Sequence, residues 1–421
     1  MNSSKKYLYV GVVALLVVIG VSLAYFGIKI IGNDTAKNNK VVTGNLELTF
    51  TDTNEITLDN AFPGDSFTKT ISVKNTGTKD VSYSLLWTEL TNGIINNELV
   101  IEATCKRLNS SGTEEGTCES ISQTPIKSNT IKKNISIEPS ITHEYTIKVT
   151  FIDTGSVQNY NKNKSFSGKL GINEYKAPNF ATDSWSTIIA NVKAGNGSEY
   201  AVGSTKEVNL GTTYGTHTLR VVNTSTPDEC KTEGFSQSAC GFVLEFADII
   251  TTHNMNPAGE YNGTQYDVGH NIGGWPASSM YTFVNNDIYN ALPSEIKNAI
   301  IDTTVVSGHG STSGETNFTS TDKLYLLAPK EIYSDWSTYE YSTYDTVKDL
   351  IRTLDYYTAQ GVTTSSHSGA IKKNGTSAAK WWLRSANSNN YVSFSFADSY
   401  GGWSTLPANI TNGVSPAFRL G

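Results

Sequence analysis

Ser307-Gly308-His309-Gly310-Ser311 sets hydroxyls beside an imidazole, the raw material of nucleophilic catalysis. Its glycines and serines do not have the strand-turn-helix setting of a nucleophile elbow, so the segment reads as a flexible loop. His253, Asn254 and Asn256, with His270 and Asn271, bring further donors, but their spacing fits no usual zinc pattern. No catalytic residue, metal ligand or cofactor is assigned. Arg384 and Arg419 are candidates for an anionic ligand. An arginine set among apolar aromatics more often stacks on a ring and bonds backbone carbonyls, and that reading is preferred.

The candidate recognition residues lie near the C-terminus. Trp381-Trp382-Leu383-Arg384-Ser385 and Gly413-Val414-Ser415-Pro416-Ala417-Phe418-Arg419-Leu420 are apolar cassettes that suit buried strands. Between them lies a segment of Asn, Ser, Tyr, Gly and Trp, a composition that gives contact area and adaptable hydrogen bonds. Asn387, Asn389, Asn390, Tyr391, Tyr400, Trp403 and Asn409 are expected on one exposed patch. Strand alternation predicts Val392, Phe394 and Phe396 inward, with Ser393 and Ser395 outward. Tyr400 and Trp403 flank Gly401-Gly402, a turn where rings can stand in solvent, and Asp398 precedes them. A hairpin with ordinary aromatic packing is the competing reading. The dense acidic cluster of a calcium-dependent lectin is missing.

The cysteines fall in two close pairs, Cys105 with Cys118 and Cys230 with Cys240, each flanking a polar loop. Without two-residue spacing or histidine partners these read as local disulfides, hence an oxidising compartment. The chain has 421 residues and a net charge of -7, which suits two or three domains and argues against nucleic acid as a partner.

Lys5 and Lys6 precede an apolar run over residues 7–28, long enough to cross a bilayer. Ser22-Leu23-Ala24 offers a small-x-small cleavage site, but the run continues through Tyr25, Phe26 and Ile28, which favours a retained anchor over a cleaved signal. Residues 1–31 are therefore expected as a signal peptide or membrane anchor, and 32–40 as a stalk. This places the chain at the outer face of the cell membrane, or in the medium if cleavage occurs.

Residues 41–175 show alternating apolar runs with Gly and Asn turns, which predicts an all-β sandwich of immunoglobulin-like or jelly-roll type. "LELTF … PGDSFTKTISVKNTGTKDVSYSL … HEYTIKVTFIDTG" resembles the exported β-sandwich domains of camelysins and biofilm-matrix fibre proteins of Gram-positive bacteria. Camelysins have been described as proteases, but no His-Glu-x-x-His is present and His143 is the only histidine of this half, so no protease activity is carried over.

Residues 176–182 read as a linker and 183–421 as an α+β domain. Apolar stripes predict helices over Trp185, Ile188, Ile189 and Val192, over Met280, Phe283, Val284 and Ile288, after Pro293, and over Val347, Leu350, Ile351, Leu354 and Tyr357. "GTHTLRVVNTSTPDEC…SACGFVLEFADIITTHNMN", "ALPSEIKNAIIDTTVV", "KLYLLAPKEIY" and "WWLRSA…GVSPAFRL" resemble a domain of unknown function found on exported proteins of Gram-positive and gut bacteria. The C-terminal part is also similar to the C-type-lectin-like fold. That resemblance implies a binding head rather than formylglycine chemistry, since no cysteine follows Cys240.

The expected whole is a transmembrane helix, a β-sandwich stalk and a C-type-lectin-like head. It would act as a membrane-tethered, adhesin-like surface protein that binds an extracellular glycan or protein. A matrix or fibre subunit pairing through edge strands is the alternative, and a surface hydrolase the third.

Overall fold

The computed structural model describes residues 38–43, 46–52 and 61–421. The apolar run at 7–28 lies outside the described residues. Among those described, no helix is long and apolar enough to cross a membrane. The chain divides into two compact units, one ending at Ala177 and one spanning Pro178–Gly421.

In the first unit, Asn38–Thr43 pairs with Leu46–Asp52 and opens a sheet that continues through Ser66–Asn75, Thr142–Phe151 and Leu99–Leu108. Residues 38–40 of the expected stalk are thus part of a strand. A second sheet orders Phe166–Glu174, Val81–Asn92 and Thr130–Ile137. Period-two alternation decides what faces the core. Tyr145, Ile147, Val149 and Phe151 point inward from one strand and Leu99, Ile101, Ala103 and Cys105 from its neighbour. Tyr83, Leu85 and Trp87 join the same core from the other sheet, and Trp87 meets Phe166 edge to face at 5.6 Å.

The second unit is not the α+β, C-type-lectin-like domain expected. It is mostly β, built of several small sheets joined by short helical turns. The stripe at 347–357 yields a helix only over Asp355–Ala359, and the turn after Pro293 gives only Ser294–Lys297. Those apolar positions are buried, Leu350 only in part, yet most of them sit on irregular backbone rather than on a continuous helix. Periodicity reports which residues face the core, and short runs do not distinguish a helix from a wrapped loop. Trp185–Lys193 does form, with Ser184 as its N-cap. Helical turns also run from Ser279 to Ala291, interrupted by a π-segment over Val284–Ile288.

A four-stranded sheet orders Thr205–Asn209, Thr216–Asn223, Val243–Phe246 and Ala417–Arg419. A five-stranded sheet orders Thr251–His253, Asn412–Val414, Trp381–Ala386, Ser393–Ala397 and Trp403–Pro407. The last cassette of the chain links the two. Val414 ends a strand of one sheet, and Ala417 begins a strand of the other. Between them the Ser415 hydroxyl donates to the Phe246 carbonyl at 2.8 Å, and the Phe246 N–H donates to the Pro416 carbonyl at 3.1 Å. Trp381 and Trp382 are fully buried, their indole N–H groups donating to the Ala370 and His253 carbonyls.

Candidate ligand-binding cleft

The segment Gly259–Tyr261 pairs with Thr264–Tyr266 as a hairpin. Its turn residues, Asn262 at φ 50° and Gly263 at φ 78°, both sit in the left-handed region, the requirement of a two-residue hairpin turn that an Asn-Gly pair meets. The hairpin stands Tyr261 and Tyr266 against His270, with ring centroids 4.1 and 5.2 Å away. Tyr266 in turn meets Tyr391 edge-on at 6.1 Å. Between the hairpin, residues 311–312 and residues 391–392 lies a cleft of about 520 Å3, lined by Gln265, Tyr266, Asp267, Ile272, Ser311 and Tyr391 among others.

One buried side chain fastens these walls. The Asn271 amide donates to the carbonyls of Asn390 at 3.0 Å and Ser393 at 2.9 Å, and more weakly to Asn387 at 3.3 Å. The Asn271 N–H donates to the Tyr391 carbonyl at 2.8 Å, and Ser311 N–H to the Asn390 carbonyl at 3.1 Å. The Gly-Ser loop is held rather than flexible. A Cβ at Gly310 would lie 2.1 Å from Asn271 Oδ1, so glycine is needed for the approach. His309 is turned to its own loop, its Nδ1 at 2.6 Å from the Gly310 carbonyl.

The expected recognition residues do not form one patch. Asn389 and Tyr391 stand exposed beside the cleft, and Asn409 bonds to the hairpin side through its N–H to Val268 at 3.3 Å. Asn387 and Asn390 face inward and shape the loop. Asn387 Oδ1 accepts from Asn389 N–H, and Asn390 Oδ1 from Val392 and Ser393 N–H. Asp398, Tyr400 and Trp403 lie past the far end of Ser393–Ala397, roughly 17 Å away at strand rise. Asp398 Oδ1 accepts from Tyr400 and Gly402 N–H and so closes a turn. Tyr400 is exposed, whereas Trp403 packs against Trp336 at 5.0 Å and Tyr341 at 5.9 Å. Ser393 and Ser395, expected outward, are buried. Their strand is interior to its sheet and covered on both faces, so alternation no longer sorts core from solvent.

The two arginines differ. Arg384 is wholly buried and forms a two-pronged pair with Glu331, Nη1–Oε2 at 2.5 Å and Nη2–Oε1 at 2.8 Å, and donates to the Leu326 carbonyl at 2.8 Å. Its guanidinium lies 5.9 Å from the Tyr325 ring. Arg419 is half-buried, with its pKa lowered chiefly by burial. His253 stacks on Phe283 at 4.3 Å, and Asn256 donates to the His270 carbonyl at 2.8 Å. His270 is itself buried, which lowers its pKa, while Glu315 nearby pulls the other way. Asp322 receives the Trp275 indole N–H at 2.8 Å, and burial pushes its carboxyl up to about 6.

Sequence reading missed the hairpin wall. Asn262-Gly263 between short tyrosine-bearing runs was the signal for it. Thr312 carries no local signal of the cleft, and Ser311, singled out for its neighbour His309, reaches it through its N–H bond to the Asn390 carbonyl.

Residues 247–421 match the family model of a domain of unknown function, DUF6273, and therefore include every residue of this cleft. Residues 3–98 match the camelysin metallo-endopeptidase model. That matched stretch contains neither histidine nor cysteine. No curated protein matches the chain. A solved structure with partial similarity comes from work on glycolipid glycan hydrolysis by a family 123 glycoside hydrolase of Clostridium perfringens. It is 14% identical over 32% of this chain and 26% of that one, with a TM-score of 0.14, too low to inform fold or function.

Proposed function

We propose that the chain is an exported surface protein whose second unit is a binding head, with the Tyr266–Tyr391 cleft taking an extracellular glycan or peptide. The camelysin match in the first unit and the resemblance of both units to exported bacterial domains support the surface setting. The observation that carries the binding role is the cleft itself. Aromatic faces and polar groups line it, and loop backbone held by Asn271 fixes its walls. Preformed sites with a few placed polar groups bind with little ordering cost. Tyr391 stands exposed on the rim, where a ring can stack on a sugar face or a peptide side chain.

A panel of bacterial and host glycans and peptides, screened against the protein and its Tyr391→Ala and Gln265→Ala variants, tests this. A ligand should emerge whose binding both substitutions weaken while the melting temperature stays unchanged. A ligand bound equally well by both variants would move the site elsewhere. A matrix-subunit reading draws on Asn38–Thr43, which ends the described strand order of its sheet, a position from which strands pair with other chains. Concentration-dependent filaments in sedimentation would favour that reading.

A further inference from the structure

The core of the first unit brings two sulfurs and an imidazole together. Thr142–Phe151 pairs with Leu99–Leu108 so that Cys105 faces Tyr145 and Arg107 faces His143. Cys105 and His143 therefore sit two positions apart on one inward face. The hairpin strand Glu114–Thr117 then delivers Cys118, whose N–H donates to the Cys105 carbonyl at 3.3 Å. The two Sγ atoms and a ring nitrogen of His143 all lie within 4.8 Å of one another.

We propose that this trio is a redox-gated metal site: once the Cys105–Cys118 disulfide is reduced, the two thiolates and the His143 imidazole bind one zinc-class divalent cation. A tetrahedral zinc ion with Zn–S near 2.3 Å holds its donors roughly 3.5–4 Å apart. The reduced sulfurs need only separate to that spacing. Cys118 can supply the movement, because its hairpin strand is exposed along its whole length while Cys105 is fixed in the core. Three protein donors leave a fourth position for water, and half-buried Cys118 marks the side from which it enters.

The surroundings suit a ligand histidine. His143 is buried, away from solvent. Its Nδ1 lies 2.9 Å from the Tyr83 hydroxyl, which lies 2.9 Å from the Tyr145 hydroxyl. With Nε2 on a metal, Nδ1–H donates to Tyr83, and Tyr83 donates onward to Tyr145. A hydrogen-bond partner on the second ring nitrogen is the usual support of a metal-bound histidine. In the disulfide form the same pair of hydroxyls serves the other tautomer. The site lies beyond the 3–98 stretch that matches the metallo-endopeptidase model.

The gating step balances simply. A dithiol gives two electrons and two protons to the S–S bond and leaves as its own disulfide; a phosphine gives two electrons, and water supplies both thiol protons and the oxygen with which it leaves as phosphine oxide. The cation then displaces both thiol protons to solvent. A small-molecule disulfide oxidant, itself reduced to two thiols, re-forms the Cys105–Cys118 bond and expels the metal.

Anaerobic titration of the full chain with cobalt(II), then zinc, tests the proposal. Protein reduced with a phosphine should bind one cobalt ion with thiolate charge-transfer absorption, and zinc should displace it. The oxidised protein should show no such band. Cys118→Ser and His143→Gln should lose the tight site, and Tyr83→Phe should weaken it about 10–100-fold. Cys240→Ser should leave it intact. Zinc should also return the melting temperature that reduction removes from the first unit. Binding by reduced protein no tighter than by folded Cys118→Ser, or a site lost in Cys240→Ser instead, would overturn the assignment.

Discussion

Trp382 and Trp403 separate two uses of the same side chain. Trp382 is fully buried, and its indole N–H donates to the His253 carbonyl at 2.9 Å. Trp382→Ala should cost about 3–5 kcal/mol in chemical denaturation, from the lost ring and the cavity left behind. Trp403 is half-buried among Trp336, Tyr339 and Tyr341, so Trp403→Ala should cost about 1–3 kcal/mol rather than act on binding alone. Tyr391→Ala should leave the unfolding midpoint in place, because the ring is exposed. Asp322 makes a pH prediction. Its carboxyl rises from an ordinary 3.8 to about 6 on folding, so between those values the folded chain holds a proton the unfolded chain has lost. Stability from this group is full below 3.8 and falls as pH rises to about 6, with little change beyond. Asp322→Asn keeps an acceptor for Trp275 and removes the titration. Melting temperatures of the two proteins across that window should converge at low pH and part in the variant's favour as pH rises.

At the scale of elements, the cleft depends on how loops are tied rather than on what they contain. Asn271 is wholly buried, and its amide serves carbonyls at Asn387, Asn390 and Ser393. Asn271→Ala would leave those carbonyls short of a donor, at about 1–3 kcal/mol for each that water cannot reach. Hydrogen exchange should then quicken at 387–393 while Trp381–Ala386 stays protected, and ligand binding should fall with it. Equal exchange in variant and parent would mean that the loop is held by other contacts. The segment 387–393 was legible as a turn-rich, polar connection, because Asn and Ser favour local side-chain-to-backbone bonds. Its partner Asn271 was not legible, since more than a hundred residues of chain separate the two and no local pattern encodes the contact.

Across the molecule, two kinds of cross-link hold distant or looped stretches of chain. Cys105–Cys118 and Cys230–Cys240 close short loops, 13 and 10 residues apart in sequence. Opening either should lower stability by about 3 kcal/mol in the chain-entropy picture, and non-reducing peptide mapping of exported protein should recover both pairs. The second kind is ionic. Arg384 pairs with Glu331 and also bonds Ser238 from the five-stranded sheet, while Lys372 reaches Glu245 of the four-stranded sheet at 2.8 Å. Glu331→Ala should cost about 3–5 kcal/mol by stranding a buried guanidinium, and a scan of thermal unfolding would show it.

The amino-acid order alone determined which residues are apolar enough to be core, where β-strands alternate, and which cysteines are close enough to pair. Tyr83, Tyr145, Trp381, Trp382 and Phe418 are buried for reasons their neighbours in sequence already contain. Only the tertiary structure decided the rest. Val347 and Leu350 look helical by spacing, yet the sheets beneath them are covered by turns, because burial rewards apolar surface whatever the backbone carrying it. Ser393 and Ser395 look exposed by alternation, yet a covered central strand has no solvent face. The cleft residues Tyr266, Ser311 and Tyr391 come from three distant stretches. Such meetings are set by long-range packing and a few buried hydrogen bonds, which leave no periodic trace along the chain.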